Sequence, residues 1–172
     1  MGTAGDCAQA CAGPTDDGRL IGIYVAAEAR LPLRAVPEVR AEPGRGLEGD
    51  RYWARQGTLW KPEPDREVTL IESECLEALA REAAVALEPA AARRNLVTRG
   101  VRLNDLVGRC FPVGVVTLKG LRLCEGCGHL ERLTGAQLRP FLAGRAGLRA
   151  AIITGGVIRV GDTIEVGPER DP

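Results

Sequence analysis

The chain has 172 residues, a formal net charge of zero and 45% hydrophobic residues, enough for one domain with a buried core and without the net positive charge of a nucleic-acid-binding surface. It holds no uninterrupted apolar stretch of membrane-spanning length, and its first residues, MGTAGDCAQACAGPTDDG, have neither the basic nor the apolar region of a secretory signal. A cytoplasmic, reducing setting is therefore expected, in which the six cysteines are thiols rather than a disulfide framework.

Residues 1 to about 18 are small, polar and punctuated by Gly and Pro, and read as a disordered lead-in to a single domain over 19–172. Arg19–Ala26 has the β-branched and aromatic content of a first strand. Val36–Ala41 predicts a short second strand, interrupted by Pro37 in a way that suits an edge. Glu42–Asp50 and Gln56–Asp65 read as loops, and Glu67–Ile71 as an alternating strand. Ser73 is placed to cap a helix that carries Leu76, Leu79 and Ala83 on one face and ends at Pro89. Short strands are expected at Asn95–Thr98, Arg109–Val113, Val115–Leu118 and Leu121–Cys124, with a second helix at Thr134–Leu142. The strands Arg149–Thr154, Val157–Val160 and Thr163–Val166 follow, joined by hairpin turns at Gly155-Gly156 and Gly161-Asp162. Many short strands around two helices predict a mainly β fold, a β-barrel with a few short helices, and no internal repeat or second domain.

Charge is unevenly spread. Between Glu63 and Glu88, eight acidic residues stand against Arg66 and Arg81, whereas between Ala91 and Arg122 seven basic residues stand against Asp105. Such a basic central third suits a local anionic ligand, or simply solvated strand faces.

The most specific local feature is Leu121–Leu130, LRLCEGCGHL. Cys124 and Cys127 follow a predicted strand, and Gly126 and Gly128 leave the Cys127 thiol uncrowded, with Lys119 and Arg122 near enough in sequence to favour a thiolate. Three readings of the pair stay open: half of a zinc site, a thioredoxin-like dithiol, or two cysteines packed in the core. Zinc would need Cys7, Cys11 or His129 as further ligands, and the dithiol would need a βαβ context that is missing. Arg93-Arg94-Asn95 offers guanidinium forks and an amide after a proline-ended helix. Gly46-Leu47-Glu48-Gly49-Asp50-Arg51 is a tight charged turn without phosphate-loop spacing. His129 is the lone histidine and Ser73 the lone serine, so serine-hydrolase chemistry is not expected.

Taken in order, the segments PGRGLEGDR (Pro43–Arg51), REVTLIESE (Arg66–Glu74), RRNLVTRGVRLNDLVGRCFPVG (Arg93–Gly114), LKGLRLCEGC (Leu118–Cys127) and LRAAIITGGVIRVGDTIEV (Leu148–Val166) resemble the MOSC family, named for the C-terminal domain of molybdenum-cofactor sulfurase. The resemblance implies a barrel like the β-barrel domain of pyruvate kinase, and a characteristic cysteine that falls on Cys127, with Cys124 as an accompanying thiol. Gly126 stands where many members have proline. The resemblance also places a cofactor-contact segment on Arg93 and Asn95, with Arg94, Asp50 and Arg51 as further cofactor-binding candidates.

Three functions follow as expectations. The first is binding of the molybdenum cofactor (molybdopterin), with Cys127 as molybdenum ligand and reduction of N-hydroxylated compounds through partner proteins. The second is a sulfur carrier that holds a persulfide on Cys127 for metal–sulfur cofactor biogenesis. The third is a zinc-stabilised or scaffolding barrel. A cysteine desulfurase or an electron-transfer protein is the implied partner, with no nucleic acid and no membrane.

Overall fold

The computed structural model describes residues 18–57, 60–124, 131–132, 135 and 137–167. The expected lead-in before Gly18 lies outside them. The strands are β1 (Gly18–Val25), β2 (Arg34–Val36), β3 (Glu38–Glu42), β4 (Gly46–Leu47), β5 (Val68–Glu72), β6 (Leu96–Arg99), β7 (Cys110–Val113), β8 (Val116–Leu123), β9 (Leu148–Thr154), β10 (Gly156–Arg159) and β11 (Thr163–Ile164). Helix α1 spans Ser73–Ala83, and a single helical turn, α2, spans Arg139–Leu142.

Seven strands close into a barrel in the order β1, β11, β7, β8, β9, β5, β6, and β6 returns to β1. The β5–β6 pair is parallel and the other barrel pairs are antiparallel. A parallel pair needs a long crossover, and here α1 and the 3-10 turn Pro89–Ala92 supply it. The interior is filled by Leu20, Leu70, Leu96, Leu103, Phe111, Leu118, Leu148 and their neighbours, all essentially without solvent contact. A second sheet, β10–β3–β4, contributes Val39, Ala41, Leu47 and Ile158 to the same core. On the outer face, Leu76 and Leu79 of α1 pack with Ile71, Val97, Leu138 and Leu142 in a separate apolar cluster. Among the described residues no helix is long and apolar enough to cross a membrane.

The barrel expectation holds, and the differences are local. Pro37 separates β2 from β3, which join different sheets. The expected loop at Glu42–Asp50 contains β4, paired back onto β3. Ser73 is the first helical residue; its hydroxyl contacts Glu74 and caps nothing, and Glu72 occupies the cap position. The helix ends at Ala83, where Ala84 turns left-handed, well before Pro89. The two strands expected on either side of Gly120 are one strand, β8, with an irregular register between Gly120 and Arg122. A Cβ at Gly120 would overlap the Leu106 carbonyl, so that glycine permits a close backbone approach rather than ending the strand. The expected hairpins at Gly155-Gly156 and Gly161-Asp162 do not form, because β10 leaves the barrel to pair with β3 while β11 pairs with β1 and β7. Of the expected helix at Thr134–Leu142 the described residues show only α2, with Pro140 in its first turn.

Charge segregation along the chain also finds its physical explanation. Arg99 pairs with Glu77 and Arg122 with Asp65, so the acidic and basic stretches meet in space.

Candidate functional site

The tight turn after β4 buries a carboxylate against the outside of the barrel. Gly49 adopts a left-handed φ of 82°, and Asp50, 3% exposed, follows it. Asp50 Oδ1 accepts from Ala26 N at 3.1 Å and Arg51 Nη1 at 3.3 Å, and Oδ2 accepts from Tyr52 N at 3.2 Å. Asn95 Nδ2 donates to Asp50 Oδ1 at 3.4 Å and to the Tyr24 carbonyl at 3.1 Å. Asn95 Oδ1 in turn accepts from Thr69 N at 3.2 Å and Thr69 Oγ1 at 3.0 Å. Three of the expected cofactor residues, Asp50, Arg51 and Asn95, thus form one buried network that links the charged turn to β1, β5 and the start of β6.

Arg93 and Arg94 flank this network but aim elsewhere. Arg93 has a left-handed φ of 56° and donates to the carbonyls of Leu31 at 3.2 Å and Ala29 at 3.0 Å. Arg94 donates from Nε to the Ala146 carbonyl at 3.0 Å and from Nη1 to the Ala92 carbonyl at 3.4 Å. Each guanidinium fastens neighbouring backbone, a role that the motif alone does not reveal.

Cys124 is 3% exposed, lies in the apolar cluster beneath α1, and donates its backbone N–H to the Gly147 carbonyl at 2.7 Å. Cys127, Gly126, Gly128 and His129 lie outside the described residues, which end on this side at Cys124. Cys75 is also buried, and burial foremost, with Glu72 adding to it, pushes its thiol pKa up. Cys110 is disulfide-bonded, which corrects the expectation that all six cysteines are thiols; no cysteine is near it in sequence, so spacing carries no sign of the bond. Among the described residues no group of three or more His, Cys, Asp or Glu side chains is placed to hold a metal.

Sequence reasoning missed Arg149. It is the one charged residue in β9, directly across from Thr69 on β5 and from Arg122 on β8. It donates from Nη1 to the Asp65 carbonyl at 3.3 Å, while its buried Nε has no partner among the described residues. Asp65 Oδ2 accepts from Arg122, with Nε at 2.9 Å and Nη2 at 2.6 Å, and Arg66 Nε lies 3.3 Å from Asp65 Oδ1 without hydrogen-bond geometry. Burial pushes the Arg149 guanidinium below the usual arginine range; Arg66 and Arg122 add to this, and Cys124 and Asp65 oppose it. A lone arginine inside a mostly apolar strand was the available signal. A polar row therefore crosses the outer face of the barrel: Asp50, Asn95, Thr69, Arg149, Arg122 and Asp65.

The described structure resembles solved proteins over most of its length. It superposes on the YuaD protein from Bacillus subtilis with a TM-score of 0.71 at 17% identity, covering 86% of this chain and 94% of that one. It superposes on YiiM from Escherichia coli with a TM-score of 0.65 at 21% identity, covering 89% and 72% of the two chains. For YiiM from Geobacillus stearothermophilus the TM-score is 0.68 at 15% identity, with 89% and 76% covered. These identities speak to the fold alone. No curated protein sequence matches the chain. The family model of the MOSC domain matches residues 55–165, well over half of the sequence, and the chain is therefore a member of the MOSC domain family.

Proposed function

We propose that this protein binds the molybdenum cofactor, with the Cys127 thiolate as the molybdenum ligand. The family is associated with molybdenum-cofactor binding. The observation that carries the reading to this chain is the convergence of Asp50, Arg51 and Asn95, distant in sequence, into one buried network, continued by Thr69 and Arg149. The fit rests on two features. Arg149 keeps a buried N–H that has no partner among the described residues, and a cysteine thiolate is the soft donor that molybdenum favours. When bound, the cofactor supplies two-electron redox chemistry at the metal. The protein's own contribution is positional: Asp50 and Asn95 fix the end of β1 and the start of β6, and Arg93 and Arg94 fix the flanking loops. Reduction of N-hydroxylated compounds is the activity we assign to the loaded protein, with electrons delivered by a partner protein.

Molybdenum and pterin analysis tests this directly. Protein purified from a cofactor-competent host is expected to carry both, and Cys127→Ser is expected to lose the molybdenum with its melting temperature unchanged. Wild-type protein that carries neither, but gains one sulfur by mass on incubation with a cysteine desulfurase, would overturn the proposal in favour of a persulfide carrier.

A further inference from the structure

The small sheet β10–β3–β4 carries a second set of charged groups, which shares no residue with the polar row across β9. Glu48 extends the β3–β4 ladder by one residue, donating its backbone N–H to the Arg40 carbonyl at 2.9 Å, and Arg40 is paired on its other side with Val157 of β10. Directly opposed residues of adjacent antiparallel strands project from one face, about 5 Å apart. Glu48, Arg40 and Val157 therefore form a row of a carboxylate, a guanidinium and an isopropyl group. Beside this row Arg159 of β10 pairs with Glu38 of β3, Nε lying 3.0 Å from Oε2. Arg40 and Glu48 make no such pair, and neither they nor Arg34 of β2 have a side-chain hydrogen bond or ion pair among the described residues.

All three groups face one recess. Arg34, Arg40 and Glu48 line a cavity of about 380 Å³, in which Arg34 comes from the barrel sheet and Arg40 from the small one. Its apolar walls are Val25 and Val39, both buried, and the half-buried Val36 and Val157. Exposed charges need no partner for stability, because water solvates them. What sets these apart is the wall that they surround. An apolar recess with a few convergent polar groups is the form of a small-molecule site, and its volume falls at the lower end of such sites, which run from about 300 to 1,000 Å³. Two guanidiniums from different sheets can converge on one carboxylate, Glu48 can accept from an ammonium, and the valines can cover an alkyl chain.

We propose that this recess binds a free α-amino acid with an aliphatic side chain, its carboxylate on Arg34 and Arg40, its ammonium on Glu48 and its alkyl group against Val36 and Val157. The row Glu48, Arg40, Val157 sets an acceptor of ammonium, a donor to carboxylate and an apolar surface side by side, and an amino acid presents the three matching groups from a single carbon. The site stands on its own geometry and does not depend on the Cys127 reading.

Titration of the full chain, followed through the NMR signals of its valine methyl groups at constant pH and ionic strength, tests it. The probes are leucine, glycine, isocaproate and isoamylamine, of which the last three lack in turn the alkyl group, the ammonium and the carboxylate. Leucine is expected to shift the methyl signals of Val36 and Val157 and to bind roughly tenfold or more tightly than each of the others. Arg40→Gln should weaken leucine and isocaproate alike by roughly tenfold, whereas Glu48→Gln should weaken leucine without weakening isocaproate. Both side chains are exposed, so the melting temperature of each variant should stay that of wild type. Leucine that leaves the Val36 and Val157 methyls unmoved overturns the site, as does leucine affinity untouched by both substitutions. Isocaproate or isoamylamine that binds as tightly as leucine overturns the assignment of an amino acid. Because no arm reads molybdenum, failure here is distinct from failure of the metal analysis.

Discussion

Asn95 donates its side-chain Nδ2–H to Asp50 Oδ1 at 3.4 Å across 45 residues of sequence, while its own Oδ1 accepts two hydrogen bonds from Thr69. Only an amide serves both ends of that arrangement, because Asp50 needs a donor and Thr69 supplies donors. Asn95→Asp keeps the shape but sets a second carboxylate against a buried one. It should cost about 3 kcal/mol at pH 7, against about 2 kcal/mol for Asn95→Ala. The introduced carboxyl would have a raised pKa in the folded state, so the deficit should shrink as pH falls and its protonated form donates again. Urea unfolding at pH 7 and pH 5 checks this, and wild-type stability of Asn95→Asp at pH 7 would refute it.

A second prediction separates close approach from backbone conformation. Gly147 has a φ of 106° and a Cβ there would overlap the Leu70 carbonyl of β5, whereas Gly161 has a φ of 97° with nothing within 4 Å. Gly161→Ala should cost about 1 kcal/mol for the left-handed backbone alone. Gly147→Ala should cost about 3 kcal/mol or more, because either β5 or the start of β9 must move. Thermal denaturation of the two variants side by side is sufficient, and equal losses would remove the close-approach argument.

The barrel was legible because its strands alternate; what the alternation hid was its phase. In β1, Leu20 and then Ile23 and Val25 all face inward, and an irregular register between Leu20 and Gly22 absorbs the odd step. β8 does the same around Gly120, which is why a continuous strand reads as two short ones. The hairpin expectation failed because glycine pairs report a turn but not which strand the chain pairs with next. At the site, Asp50, Arg51 and Asn95 were readable as ordered motifs. Arg93 and Arg94 hold backbone carbonyls, which the motif could not foretell because a guanidinium that serves a carbonyl looks the same in sequence as one that serves a phosphate. Arg149 escaped because its meaning lies in its cross-strand neighbours Thr69 and Arg122, and register is not written locally.

The buried thiols should be chemically quiet. Cys124 is sealed in the cluster beneath α1, and Cys75 is buried there with its pKa raised. Native-state alkylation at pH 8 should therefore be slower at both than in the unfolded chain by roughly a hundredfold or more, since it requires local opening. Cys124→Ser should cost about 1 to 2 kcal/mol by placing a hydroxyl among Leu79, Leu138 and Leu142. Peptide-resolved alkylation kinetics check the first claim, and rapid labelling of Cys124 in folded protein would place it outside the core.

The last prediction concerns pH. Glu67 accepts from Ile152 N at 2.8 Å and Glu72 accepts from Leu103 N at 2.7 Å, so each carboxylate ties a barrel strand to a neighbouring segment. Burial nevertheless outweighs those hydrogen bonds and raises both pKa values above 4.5. A carboxyl whose folded pKa is raised contributes stability that is fully present below its unfolded value and is lost as pH rises through the folded value. Glu67 and Glu72 should therefore support the fold best in mildly acidic solution and least at neutral pH. Glutamine does not titrate and retains an acceptor oxygen for the same backbone N–H. The melting temperature of Glu67→Gln relative to wild type should accordingly climb as pH is raised from 4 to 7 and then level off, and Glu72→Gln should follow the same course. A difference that is flat or falls over that interval would show that the hydrogen bonds to Ile152 and Leu103, not burial, dominate these two carboxylates.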